Sequence, residues 1–326
     1  MRSSKNEKES VPPPDNILHL TLSDNFWRLE KFQTRTILGT EKGHQVIWKC
    51  PITETALPFI NAIADREKAS REYLKGHFDV LCGDIEDGCL KYDYLPYQSL
   101  LQIIETQFRR NCPSIMADKT IKAYVDKIKA LKSIYTVPKE FYQIIGLNGA
   151  YDDTKLLCLC RGLLDLTPRN ILVNGEQWIV IDSEWSFDFP VPVAFVLFRA
   201  IKEAAVELQY EIRKHTSKTR PAVGIFAKGL RTYFLPQDWV KYISDTNISF
   251  AQMLRWELGF RRYISRSNKG TVGRIKLNPR TKTRFSSQRL KSDVGIAEGL
   301  NRFLRKLPIM RRIVYFFERL LLYFQK

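Results

Sequence analysis

The chain reads as an α+β protein of two lobes, a small β-rich N-terminal lobe and a larger helical C-terminal lobe, with a basic amphipathic C-terminal extension. Three observations carry this. Residues 34–50 run strand, glycine-containing turn, strand. Residues 161–185 (RGLLDLTPRNILVNGEQWIVIDSEW) set an acid, an amide and a second acid around an apolar hairpin. Beyond residue 96, apolar positions recur mostly at helical spacing. With 326 residues, 44% of them hydrophobic, the chain has material for one two-lobed domain or two modest ones.

Residues 1–16 are polar and Pro-rich and lack the apolar stretch of a signal peptide, so they read as a disordered tail. The β-rich lobe is expected over 17–95. Its strands at 34–38 and 44–50 flank the turn Gly39-Thr40-Glu41-Lys42-Gly43, and the second strand carries Lys49 near its end. Residues 55–76 predict a helix, because Leu57, Ile60, Ile63 and Ala64 recur on one face and charges, Glu67 and Glu72 among them, fill the rest. Strands at 78–81 and 88–94 follow, separated by an acidic turn over 83–87, and Tyr92-Asp93-Tyr94-Leu95-Pro96 leads into the second lobe.

That lobe is expected over 96–264. Residues 99–110 and 118–135 read as amphipathic helices, and 156–160 as a short apolar strand. Residues 171–173 and 177–181 form a hairpin turning at Asn174-Gly175, a strong short-range hairpin signal. The remainder to about residue 260 reads as mainly helical, including 192–214, 221–234 and 247–264. Six cysteines are scattered without metal-ligand spacing, which predicts reduced, partly buried thiols. No run of about 18 uncharged apolar residues predicts a membrane span.

Asp165, Asn170 and Asp182 form the chemical core of this reading. Asp165 and Asn170 bracket a loop stiffened by Pro168, and the Asn-Gly hairpin returns the chain so that Asp182 faces the amide. Two acids and an amide at the ends of apolar strands make a hard-oxygen set suited to Mg²⁺. Taken singly, Asp165 also reads as a turn cap, Asp182 as a strand-end acid and Lys49 as a solvated strand end.

Residues 165–173 resemble the D-L-x-P-x-N-I-L-V loop of the aminoglycoside-phosphotransferase and choline-kinase branch of the protein-kinase-like superfamily. Ile181-Asp182-Ser183-Glu184 is similar to that branch's I-D-x-E metal motif. The resemblance implies a two-lobed kinase-like fold and transfer of phosphate from ATP with Mg²⁺. It implies that Asp165 deprotonates the acceptor hydroxyl, that Asn170 and Asp182 hold the metal, and that Glu184 assists the metal or the acceptor pocket. It further implies that the turn with Gly39 and Gly43 covers the nucleotide, and that Lys49 grips its phosphates. It implies as well that a helix acid, Glu67 in preference to Glu72, pairs that lysine, and that the backbone around Tyr92 and Tyr94 binds adenine.

Over residues 161–199 the chain looks more closely like the kinase-like domains of bacterial surface-polysaccharide systems, such as the O-antigen chain-terminating kinase–methyltransferases. A sugar or glycan hydroxyl as acceptor, and glycan-assembly enzymes as partners, follow from that likeness. A non-catalytic kinase-like scaffold and a kinase for an aminoglycoside- or choline-type small molecule are the alternatives. The chain departs from the pattern in having Leu163 where His often stands, in a glycine-poor covering loop, and in lacking an A-P-E segment, which argues against a protein substrate.

The charge lies at one end. From residue 261 onward, 18 Lys and Arg face only Asp293, Glu298 and Glu318, a surplus of 15 out of the chain's +17. Residues 265–296 read as a basic linker. Residues 297–326 interleave Phe303, Leu304, Leu307 and Phe317 with Arg302, Arg305, Arg311 and Arg312, and Pro308 divides the run. This pattern fits reversible docking on an anionic membrane at the cytoplasmic face, or packing on the body or on a partner protein. No nucleic-acid reading module accompanies the basic tail.

Overall fold

The computed structural model describes residues 16–109, 115–147, 156–212, 222–226, 232–243 and 248–265. The predicted N-terminal tail up to residue 15, nearly all of the basic linker, and the amphipathic segment lie outside them. The fold is α+β, with a β-rich lobe first and a helix-rich lobe after it.

The first lobe is built on β1 (Asn16–Asp24), β2 (Thr34–Glu41), β3 (His44–Pro51), β5 (Asp84–Glu86) and β6 (Cys89–Asp93), after a short β4 (Asp79–Val80). The five form an antiparallel sheet in the order β1-β2-β3-β6-β5. Glu41 pairs with His44, so the β2–β3 turn is only Lys42-Gly43, with φ of 49° and 82°. Both central residues at positive φ match the twist of a tight hairpin, and glycine takes the second at little cost. The loop is therefore shorter than the sequence suggests. Gly39 lies inside β2 opposite Val46, because β pairing continues to the turn.

Helix α1 (Leu57–Leu74) opens with Pro58 in its first turn and buries Phe59, Ile60, Ile63, Ala64, Glu67, Ser70 and Leu74 along one face. Ile60 and Ile63 are fully buried, each contributing about 1.5–3 kcal/mol of hydrophobic stabilisation. The predicted acidic turn at 83–87 is instead strand β5, which hairpins onto β6 through Asp87-Gly88 at positive φ. β4 leaves this sheet to pair in parallel with a strand of the second lobe.

The second lobe contains β7 (Gln98–Ser99), α2 (Leu100–Arg109), α3 (Ile115–Lys129), β8 (Ser133–Tyr135), α4 (Lys139–Ile144), β9 (Leu157–Leu159) and β10 (Gly162–Leu163). β11 (Ile171–Asn174), β12 (Gln177–Val180), β13 (Ser186–Phe187), β14 (Val191–Pro192) and α5 (Val193–Glu207) follow. β15 (Ala222–Phe226), β16 (Thr232–Pro236), α6 (Gln237–Ile243) and α7 (Phe250–Ile264) complete it. The expected hairpin is β11–β12. Asn174 pairs with Gln177, so Gly175-Glu176 form the turn, one residue later than read.

Three expectations are corrected. The helix predicted to 135 ends at Lys129, and residues 133–135 pair with β9. Residues 221–234 are not helical where described: they contribute β15 and part of β16, an antiparallel pair. A short apolar run satisfies either period, and here strand pairing prevails. The cysteines are not all reduced. Cys50 and Cys89, side by side on β3 and β6, are joined in a disulfide with Cα atoms 4.4 Å apart, while Cys82, Cys158 and Cys160 remain thiols.

Candidate active site

Asp165 sits just after β10, on a loop fixed from several directions. Leu164 N–H donates to the Trp185 carbonyl at 3.1 Å, and Thr167 N–H to the Asp165 carbonyl at 2.6 Å. Tyr124 Oη donates to the Leu166 carbonyl at 2.5 Å, and Arg199 Nε to the Leu164 carbonyl at 3.1 Å. Arg199 is itself held by Glu257, at 2.5 Å, and lies over the Phe260 ring. The Asp165 carboxylate accepts from Trp185 N–H at 2.9 Å through Oδ2.

Asn170 ends the 3₁₀ turn Pro168–Asn170 and spends its Nδ2 on the Asp165 carbonyl at 3.0 Å, which leaves its amide oxygen as the end available to a cation. Ile181 N–H donates to the Asn170 carbonyl at 3.0 Å, so the β11–β12 hairpin sets Asp182 beside the amide. Asp182 Oδ1 accepts from Glu184 N–H at 3.2 Å and from Lys49 Nζ at 3.0 Å. Carboxylate oxygens of Asp165, Asp182 and Glu184 lie within 4.8 Å of one another.

This crowding has electrostatic consequences. Burial pushes the Asp165 carboxyl well above the usual range, and the nearby Asp182 and Glu184 push it further, against the pull of Arg199 and the Trp185 N–H. Burial opposes the charge on Lys49, yet Asp182 and Glu184 more than offset that and hold its ammonium above the ordinary value. Three carboxylates packed this closely are the donor chemistry of a Mg²⁺ site, and a divalent cation would relieve their mutual repulsion. The residues present fit the ion.

The structure brings together Lys49, Asn170, Asp165, Asp182 and Glu184. It distinguishes Glu67 from Glu72: Glu67 is buried and Glu72 is exposed. Yet the hydrogen bonds of Glu67 go to Tyr92 Oη at 2.7 Å and Gly83 N–H at 3.0 Å, and the close partner of Lys49 is Asp182. Tyr92 points inward to Glu67. Tyr94 is exposed, and its N–H donates to the Gln45 carbonyl at 3.1 Å. Gly43 occupies the hairpin tip, and Gly39 lies within the strand leading to it.

Residues that the sequence left unmarked complete the site. Arg28 Nη1 contacts Glu184 Oε1 at 2.6 Å, Thr34 Oγ1 reaches the same oxygen at 3.4 Å, and the Arg28 guanidinium lies over the rings of Trp27 and Trp185. Arg66 Nη1 donates to the Glu184 carbonyl at 2.9 Å. Arg28 and Glu184 are 156 positions apart, so no local pattern announces their contact.

No protein-family model matches the chain, and no curated protein does. Solved structures of small-molecule kinases do. The choline kinase LicA from Streptococcus pneumoniae is 17% identical, with 70% of this chain and 78% of that one covered and a TM-score of 0.36. Macrolide 2'-phosphotransferase MphH from Brachybacterium faecium is 11% identical over 58% of this chain and 74% of that one, with a TM-score of 0.28. Spectinomycin phosphotransferase, in complex with ADP and spectinomycin, is 9% identical over 71% and 77%, with a TM-score of 0.29.

Proposed function

We propose that this chain is an ATP-dependent phosphotransferase that moves a phosphoryl group onto a hydroxyl of a sugar, glycan or related small molecule. The observation that carries it is the meeting of a strand lysine from the first lobe, Lys49, with Asp182 and Asp165 from the second, at 3.0 Å for the ion pair and within 4.8 Å for the acids. Phosphoryl transfer asks for positioned charge rather than covalent chemistry, and this arrangement supplies it.

Asp165 is the general base that takes the acceptor hydroxyl proton, and the Trp185 N–H fixes its orientation. Lys49 binds phosphate oxygens, and the Lys42-Gly43 turn lies at the end of its hairpin. Asp182 and Asn170, with Glu184 beside them, would hold Mg²⁺, which when bound supplies neutralisation of the phosphate charge. Support for a glycan acceptor comes from the likeness over 161–199 to bacterial surface-polysaccharide kinases. Support for docking at an anionic membrane comes from the basic surplus after residue 261. An aminoglycoside- or choline-type acceptor uses the same machinery.

Transfer of labelled γ-phosphate to a panel of sugars, lipid-linked oligosaccharides, choline and aminoglycosides tests the reading. Asp165→Ala should lower kcat by about 10²–10⁴ with nucleotide binding kept. Asp182→Ala should in addition raise the magnesium concentration needed for Mg·ATP binding. An Asp165→Ala enzyme as active as wild type would overturn the assignment, and a chain that binds Mg·ATP but transfers to nothing would be a scaffold.

A further inference from the structure

A second charged cluster borders the catalytic loop; it shares Arg66 with the contacts around Glu184, and none of its side chains has a role in the phosphotransfer steps proposed above. Arg66 and Ser70 stand four residues apart on α1, therefore on one face of the helix. That face packs on β13, where Ser186 pairs with Leu163 of β10, two residues after Arg161. The side chains meet: Ser70 Oγ and Ser186 Oγ are 3.0 Å apart, and Arg161 Nε donates to Ser186 Oγ at 3.0 Å. Arg66 is held by the Glu184 carbonyl at 2.9 Å and lies over the rings of Phe59 and Phe187.

The charge balance of this cluster is unusual. Both guanidiniums are half-buried, and each has only a neutral hydrogen-bond acceptor. Among the described residues neither has a carboxylate within ion-pair distance. The Tyr263 phenol is the largest favourable influence on Arg66, ahead of Glu184, Asp188 and Asp165, which act on it at longer range, and exposed Asp188 acts on Arg161 the same way. Burial weakens the charged form of each arginine, and Arg66 adds to that at Arg161. Two like charges held together out of full solvent, without an ion-pair partner, are costly unless something anionic completes them. Arginine presents a planar fork of donors, and each arginine here spends one donor nitrogen in the contacts above, leaving others for a tetrahedral oxyanion. Ser70 and Ser186 are buried and share one O–H between their oxygens, so a single hydroxyl proton of the pair remains as a short-range donor.

We infer that Arg66, Arg161, Ser70 and Ser186 form a second anion site, separate from the nucleotide phosphates, that takes a phosphate monoester dianion. The inference rests on these four residues and does not depend on the phosphotransferase reading. Such a dianion comes either as free phosphate or as a phosphate group carried by a larger molecule, such as a sugar phosphate.

Calorimetric titration of the full chain, without nucleotide, with inorganic phosphate, with a hexose monophosphate and with the matching unphosphorylated hexose decides it, chloride at equal ionic strength being the control. The expected result is phosphate binding that weakens about tenfold or more in Arg161→Gln and in Arg66→Gln, and that persists in Lys49→Met. Tighter binding of the hexose monophosphate than of inorganic phosphate assigns the site to a phosphorylated molecule, and equal binding assigns it to free phosphate. Mg·ATP binding should be unchanged in Arg161→Gln. If Arg66→Gln does not fold, Arg161→Gln alone decides. No phosphate binding by the wild type, equal affinity in the folded Arg161→Gln protein, or loss of phosphate binding in Lys49→Met would each overturn the inference, the last by assigning the anion to the nucleotide site.

Discussion

Glu67 occupies the helix position that the sequence reading gave to the partner of Lys49, but its environment assigns it a different task. It is buried, accepts from Tyr92 Oη and Gly83 N–H, and so ties α1 to β6 and to the segment before β5. Burial pushes its carboxyl up to about 7 against a usual value of 4.5, opposed by those two hydrogen bonds and by Lys49. Because the folded pKa is raised, the native state keeps a proton that the unfolded chain releases from about pH 4.5 upward. Its contribution is therefore most favourable below that pH, declines as pH rises toward 7 and is flat above it, a change of about 3 kcal/mol. The stability of Glu67→Gln should gain on wild type by about that amount between pH 4.5 and 7.5 in denaturant titrations, and parallel curves would refute the shift. The sequence marked Glu67 because helical spacing set it near the middle of a helix. It left Arg28 and Arg199 unmarked because each reaches the candidate site through contacts that local pattern does not encode: Arg28 with Glu184, Arg199 with the Leu164 carbonyl.

Elements were legible where their signals were local. The β11–β12 hairpin was readable from alternation and Asn-Gly, and α1 from its apolar face. The β15–β16 pair was misread because apolar runs of this length fit either helix or strand, and the Cys50–Cys89 bond because pairing across 39 residues depends on β3 lying beside β6. Gly259, in the middle of α7, was equally silent. Propensity alone says that Gly259→Ala should stabilise the helix by up to ~1 kcal/mol. Packing says the opposite: a Cβ there would lie 1.8 Å from the Ile145 carbonyl oxygen, at the end of α4, where backbone has little room to yield. Overpacking against backbone costs about 3 kcal/mol or more, so packing wins. Gly259→Ala should lower the denaturation midpoint sharply or prevent folding, and a midpoint equal to or above wild type would show that α4 and α7 do not approach this closely.

On the scale of the whole molecule, two ion pairs join the sheet-bearing segment to the Asp182–Glu184 segment: Lys49 with Asp182 and Arg28 with Glu184. Leu29 N–H also donates to the Ile264 carbonyl at 2.9 Å, and Arg28 bridges to Ser265, where the basic extension starts. That extension is read from sequence alone. Charge attraction and apolar insertion are both needed for stable anchoring. Deleting residues 297–326 should abolish sedimentation with anionic liposomes while Mg·ATP binding persists, and unchanged sedimentation would favour a packed or partner-binding helix. The Arg28–Glu184 pair makes the sharper test of how the two lobes are joined. Its side chains are 11% and 3% exposed, so water screens the pair little and neither charge is readily resolvated if the other is removed. Removing one partner of such a pair costs about 3–5 kcal/mol, because the other charge stays buried. Arg28→Ala should therefore destabilise the fold by about that much. Adding Glu184→Ala should return part of the loss, since the orphaned carboxylate goes with it. A double-mutant cycle by denaturant titration measures this. A coupling of about 1 kcal/mol or more supports a direct interlobe tie, whereas strictly additive losses would mean that Arg28 acts through its stacking on Trp27 and Trp185 instead.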